Sequence, residues 1–472
     1  MNITRLVHPG FWFGKTDKEE ALQLARMGVG GFCLYGGTRA EVAALTQALR
    51  AASPLKRILI SADYEDGLGR WLPDAELLPS NLALGAADDA QLAFEKGLLT
   101  ARQAKSIGVD WVFAPVVDLA DRADNPIVNT RSFGADPARV TRLAGALMEG
   151  LRKGGVLNSL KHFPGHGNTG TDSHLALPVL LSTKQHIWEH ELLPFRQLLH
   201  QADCVMAGHL LVPALDEQHP ASVSRAILHD LLQEEMGFTG CISTDALCMK
   251  ALGNEKQAAL AALFAGAHVL LVPEKPFELL DFLHAQPLPP QLVTRAVQMQ
   301  NLLCARTDEV PPVTQAAAFT PTDLSARTAR KALTWQGAPF NLRAGETVYY
   351  LSVGNDENLS AAPFLNTLES HGVQVEPFQG QPGGKLAVLC WRRYQAFKGK
   401  IGLDEQETAS VQQALAQHPQ SVVISFANPW SVRGLNSRSQ LFAFSPSPVF
   451  QQAAAEVLLG KWQAAGQLPI TL

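Results

Sequence analysis

Ser159-Leu160-Lys161-His162-Phe163-Pro164-Gly165-His166-Gly167-Asn168-Thr169-Gly170-Thr171-Asp172-Ser173-His174 changes character at Phe163-Pro164. It opens as the end of an apolar, strand-like run. From Lys161 onward it carries three histidines, a lysine and an aspartate, spaced by three glycines and a proline. Gly and Pro at that density make a loop rather than a helix. Ionisable side chains on a loop leaving a buried strand are where α/β enzymes place their chemistry.

Outward from that loop, short apolar or β-branched runs alternate with longer helical patterns up to residue 305. Strands are expected at 5–13, 29–35, 57–63, 111–117, 156–162, 203–209, 240–245 and 268–273. Helices are expected at 19–27, 39–52, 90–107, 137–152, 188–201, 224–236 and 257–265. Such a series predicts an α/β fold, a TIM-like (β/α)8 barrel, irregular at the first strand, where the run and the connection after it fit poorly. Several strand runs end in a polar residue: Asp63, Asp118, Lys161-His162, His209 and Asp245. In such barrels the site lies at the C-terminal strand ends.

Residues 308–325 break the pattern with Pro311-Pro312 and Thr320-Pro321, which reads as a linker between a barrel at 1–307 and a smaller α/β sandwich domain at 326–472. In that second unit, strands are expected at 347–353, 386–391 and 421–426, and helices at 359–370, 404–418 and 451–464. Its first strand leads into Gly354-Asn355-Asp356-Glu357-Asn358, which is not a GxGxxG turn, so no nucleotide cofactor is expected.

The chain has 472 residues, 46% hydrophobic and 18% charged, with a net charge of −5. That balance suits a well-packed globular protein and gives no electrostatic reason to expect nucleic acid or an anionic membrane surface as a partner. No run approaches the roughly 18 apolar residues of a membrane span. The stretch Met1-Asn2-Ile3-Thr4-Arg5-Leu6-Val7-His8-Pro9 has no signal-peptide pattern. The six cysteines are scattered without a CxxC pair and read as reduced, mostly buried thiols. A cytoplasmic location is expected on both counts.

The local chemistry leaves alternatives open. Asp172 and His174, one residue apart, can form a carboxylate–imidazole pair able to give and take a proton. They can equally be a turn cap and a surface histidine. Lys161 and His162 read as hydrogen-bond donors in a pocket floor, or as a snorkelling lysine and a satisfied core histidine. Asp245, ending Cys241-Ile242-Ser243-Thr244-Asp245, reads as a nucleophile or as the N-cap of a helix. Asp63 has the same ambiguity, and Arg131 reads as a ligand clamp or a structural ion pair. His162, His166, Asp172 and His174 are suitable ligand types for a metal, but HExxH or paired-Cys spacing is missing, so no metal is expected.

Lys161 to His174 resembles the loop of glycoside hydrolase family 3 in its β-N-acetylglucosaminidase branch: Lys-His-Phe-Pro-Gly-His-Gly, four variable residues, Asp-Ser-His, then a proline, here Pro178. Phe32-Cys33-Leu34-Tyr35-Gly36-Gly37, Asp118, Arg131-Ser132-Phe133-Gly134, Ala207-Gly208-His209 and Thr244-Asp245-Ala246-Leu247-Cys248-Met249 extend the likeness over residues 5–305. The resemblance implies a retaining exo-β-N-acetylglucosaminidase acting on peptidoglycan-derived or chitin-derived fragments. It implies Asp245 as nucleophile and His174, held by Asp172, as acid/base. It implies Asp63, Arg131, Lys161 and His162 on the sugar hydroxyls, with His209 beside them. The implied partner is a small glycan, and the oligomeric state is not legible.

A histidine acid is neutral once it has donated its proton and does not repel phosphate. A phosphorylase, like a β-glucosidase, is therefore the alternative within the family. A catalytically inert sugar-binding barrel would lack a nucleophile or an acid, and both are here. Two stretches depart from the family pattern. Asp63-Tyr64-Glu65-Asp66-Gly67-Leu68-Gly69-Arg70 stands for Asp-Gln-Glu-Gly-Gly-Arg, so no role is carried onto Tyr64 through Arg70. His268 stands where relatives commonly have aspartate.

Overall fold

The computed structural model describes residues 2–171, 176–354, 359–392 and 402–472. Eight parallel strand positions close on themselves. The first, β1, is in two pieces, Val7–His8 and Gly10–Trp12, interrupted at Pro9, whose ring removes a ladder donor. Then follow β2 (Gly31–Tyr35), β3 (Leu59–Ala62), β4 (Trp111–Val112), β5 (Ser159–Phe163), β6 (Cys204–Ala207), β7 (Cys241–Thr244) and β8 (Leu270–Leu271). The circuit is completed by Val7 opposite Leu270 and by parallel bridges from Trp111 to Leu157, Val116 to Lys161 and Ser243 to Val269. This is the expected (β/α)8 barrel, irregular at its first strand as its sequence suggested.

The strands read as continuous apolar runs because both faces are covered. The barrel interior is filled by Leu59, Trp111, Phe113, Leu157, Met206 and the thiols of Cys33, Cys204 and Cys241. Small thiols leave room for the indole of Trp111, whose Nε1 donates to Ser159 Oγ at 2.8 Å. At the N-terminal face, acceptors satisfy strand N–H groups. Asp110 takes the Ile60 N–H, Asp203 the Asn158 N–H, and the unexpected His268 takes that of Ile242 through Nδ1 at 3.0 Å.

Helix Pro290–Thr307 closes the barrel part. A short helix, Gln315–Ala318, interrupts the exposed segment after it. A second sheet is built from β9 (Thr334–Gly337), β10 (Thr347–Val353), β11 (Gln374–Pro377), β12 (Lys385–Cys390), β13 (Gln420–Ser425) and β14 (Ser439–Phe442), in the order β9-β14-β13-β12-β10-β11. All neighbours are parallel except β9 and β14. Central β10, β12 and β13 match the three expected runs. The short β9, β11 and β14 were not expected. β11, at the sheet edge, is exposed except at half-buried Val375, and so lacks the apolar signal.

The two parts share apolar packing. Leu82, Ala83 and Ala86, from helix Asn81–Ala87 of the barrel, lie in the core of the second sheet domain. Among the described residues no helix is long and apolar enough to cross a membrane.

Candidate active site

The C-terminal strand ends surround a cavity of about 310 Å³, at the small end of ligand sites. Asp63, Lys161-His162 and Asp245 reach it from the ends of β3, β5 and β7, and Arg131 reaches it from the loop after β4. Five residues that the sequence offered separately are thus brought to one cavity.

Lys161 Nζ, almost wholly buried, donates to Asp63 Oδ1 at 2.7 Å and lies 2.6 Å from Glu65 Oε1. Arg131 grips the same Glu65 carboxylate with two parallel bonds, Nε to Oε2 at 2.9 Å and Nη2 to Oε1 at 2.7 Å. Burial alone would raise the Glu65 carboxyl, but Arg131 and Lys161 more than reverse it and hold it well below the usual carboxylate range. Burial likewise opposes the Lys161 charge. Asp63 and Glu65 outweigh it and hold the ammonium above the ordinary lysine value. The cluster therefore presents fixed, charged donors and acceptors in a place where water is scarce.

His162 is locked from two sides. Its Nδ1 meets Asp118 Oδ2 at 2.6 Å, and Arg131 Nη2 lies 3.3 Å from its Nε2. A guanidinium only donates, so Nε2 is the acceptor and the proton sits on Nδ1. Asp118 also accepts the backbone N–H groups of His162 and His166. Burial pushes its carboxyl up, but His162 and the His166 N–H outweigh this and bring it below the usual value.

Asp245 is half-buried in the cavity wall. Its backbone N–H donates to the Ala207 carbonyl, and its Oδ1 accepts the Ala246 N–H at 2.7 Å. No helix follows directly, so its alternative reading as a helix N-cap is not what the fold uses. His209, expected beside the sugar-holding residues, follows β6 and is not among the described residues that line the cavity. It is fully buried, taking the Ser222 hydroxyl on Nδ1 at 2.7 Å and meeting the Ala246 carbonyl through Nε2 at 3.1 Å. It is thereby tied to the turn that carries Asp245. Asp172 and His174 lie outside the described residues.

The sequence reading gave no sugar-binding role to several residues that line the cavity. Glu65 lies in the stretch that departs from the family pattern, as does Arg70, which lines the cavity and pairs with Asp66 at 3.5 Å. An aromatic wall of Trp12, Tyr35 and Trp71 faces the polar cluster. Trp12 and Tyr35 stack with centroids 4.9 Å apart, and Trp71 meets Tyr35 edge-on at 5.1 Å. The signal was available, since Trp12 and Tyr35 close β1 and β2 as Asp63 follows β3. His166 also lines the cavity.

Residues 1–302 match the family model described as the glycosyl hydrolase family 3 N terminal domain. The chain belongs to glycosyl hydrolase family 3. A beta-hexosaminidase of Idiomarina loihiensis is 34% identical over 264 residues, 54% of this chain and 79% of that protein. One from Chromobacterium violaceum is 37% identical over 293 residues, 59% of this chain and 81% of the relative. The solved structure of a family 3 beta-N-acetylglucosaminidase from Paenibacillus sp. str. FPU-7 matches with a TM-score of 0.88 and 28% identity, covering 100% of this chain and 98% of the other. This family 3 chain is thus a glycosidase of the β-hexosaminidase branch, and its polar cluster, aromatic wall and strand-end aspartate suit a cavity that takes a sugar.

Proposed function

We propose that the chain is a retaining exo-β-N-acetylglucosaminidase that removes terminal β-linked N-acetylglucosamine from peptidoglycan-derived or chitin-derived fragments in the cytoplasm. Asp245 attacks the anomeric carbon. His174, oriented by Asp172, protonates the departing glycosidic oxygen and then takes a proton from the water that releases the sugar. Asp63, Arg131, Lys161 and His162 hold the hydroxyls of that sugar. The chemistry belongs to residues 1–307, joined through 308–325 to a supporting domain at 326–472.

The observation that carries this reading is the placement of Asp245 in one cavity with the Asp63–Lys161–Glu65–Arg131 cluster. A carboxylate facing a fixed array of hydroxyl-binding groups is what a glycosyl-enzyme route requires. His174 and Asp172 enter on the spacing of their motif.

The test is a panel of 4-nitrophenyl β-glycosides with and without phosphate, with the product followed by proton NMR. The N-acetylglucosaminide should turn over fastest, releasing the β-anomer first, and phosphate should leave the rate unchanged. Asp245→Ala should lower kcat by at least about 10³-fold. Faster turnover of the glucoside, an α-anomer formed first, or a sugar 1-phosphate product would each overturn the reading.

A further inference from the structure

His166 is 1% exposed and faces the cavity, yet it has no part in the mechanism above. Its surroundings fix its ring. The Thr169 hydroxyl donates its single proton to the His166 carbonyl at 3.0 Å, and the same oxygen lies 2.7 Å from His166 Nδ1. With that proton engaged by the carbonyl, we assign Nδ1–H as the donor to the threonine oxygen and Nε2 as the nitrogen without a hydrogen. Nε2 has no hydrogen-bond partner among the described residues. A buried polar atom in a native fold is nearly always paired, so an orphan on a cavity wall points to a ligand group.

Burial pushes the ring's pKa down to about 4, the nearby Asp118 opposing this and His162 adding to it. At neutral pH the ring stays uncharged, and Nε2 can only accept.

His166 shares the cavity with the polar cluster and with Asp245. Its ring centroid is 6.1 Å from that of His162, on the hydroxyl-binding side. The carboxylate of Asp245, which lines the same cavity, also acts on it electrostatically. A pyranose with C1 at Asp245 and its hydroxyls at the polar cluster lies in the cavity that His166 also lines, and the amide N–H is the donor that sets an N-acetylated sugar apart from a plain one. We propose that His166 is a further substrate-binding residue, whose bare Nε2 accepts a hydrogen bond from the amide N–H of the C2 acetamido group. This rests on the hexosaminidase reading and adds the group that recognises the amide.

The test compares 4-nitrophenyl N-acetyl-β-glucosaminide with its ketone isostere, in which a methylene replaces the amide N–H. A site built to accept an N–H discriminates against an analogue lacking it. The wild-type enzyme should favour the amide by at least about tenfold in kcat/KM. His166→Phe should bring that ratio to within about threefold of one, chiefly by slowing the amide. Should His166→Phe not fold, the wild type alone decides. Its His166 Nε2 nitrogen resonance should move on saturation with N-acetylglucosamine and stay in place with glucose bearing a 2-keto-alkyl group.

A wild-type ratio near one, a ratio unchanged in the variant, or a resonance unmoved by N-acetylglucosamine would overturn the proposal. A protein that leaves the amide glycoside intact would instead sink the functional reading, so the two failures are distinguishable.

Discussion

At Glu65 one buried carboxylate answers two cations. Lys161 and Arg131 both close on it, and Lys161 also reaches Asp63. Taking away the Glu65 charge leaves two buried positive groups with one carboxylate between them, the situation in which a broken buried pair costs about 3–5 kcal/mol. Glu65→Gln, almost isosteric, should therefore lower stability to urea by that order and cut kcat/KM by more than about tenfold, because Lys161 and Arg131 lose their fixed positions. An unchanged urea midpoint would show that the two cations find other partners.

Lys161, His162, Arg131 and Asp63 were legible because each stands at a strand end or in a motif. Glu65 was not, since its stretch departs from the family pattern and its Arg131 partner is 66 residues away in sequence. Nor was the tie from His209 to the Ala246 carbonyl legible, since the two residues are 37 apart in sequence.

The segment after β5 shows the same division among elements. Its glycines announced a loop, and the geometry explains two of them. Gly165 has φ +123°, which other residues rarely adopt, and a Cβ on Gly167 would lie 1.8 Å from the Leu119 carbonyl oxygen. Asn125 ties the two segments together by donating to the carbonyls of His166 and Gly167, each at 2.9 Å. Gly167→Ala must push the loop off the 119–125 segment, a clash costing about 1–3 kcal/mol. It should move His166 with it. Lower thermal stability together with weaker N-acetylglucosamine binding by calorimetry is the expected outcome. Wild-type values for both would mean the loop yields without consequence. The strands themselves were legible as apolar runs, whereas the exposed edge strand β11 was not, because its partner supplies the hydrogen bonds that define it.

Over the whole molecule the two parts are packed as one. The Ser80 hydroxyl donates to the Phe444 carbonyl, and the Ala135 N–H donates to the Pro469 carbonyl beside the loop that carries Arg131. Acid should loosen this assembly in a defined window. His8 and His166 are pushed down to about 4 and His268 to about 3, in each case chiefly by burial. Their folded pKa values lie below the ordinary 6.5, so as pH falls the unfolded chain takes up protons first. Stability present above pH 6.5 is then lost progressively toward pH 4. Below that, Glu65 and Asp118, held under the usual carboxylate range, add to the loss. The melting temperature should fall steadily from pH 7.5 to pH 5 in scanning calorimetry, and a flat profile would count against this sign.

The amino-acid sequence by itself determined the order of the eight barrel strands, the ends at which chemistry would gather and the identity of the family. These follow from local apolar patterning and from motifs whose residues are close in the chain. Only the tertiary structure decided that Glu65 sits between Lys161 and Arg131, that His209 is tied to the turn after Asp245, and that His166, with an unpaired Nε2, lines the cavity. Each depends on which distant groups barrel closure brings within hydrogen-bond reach, and no spacing along the chain encodes that.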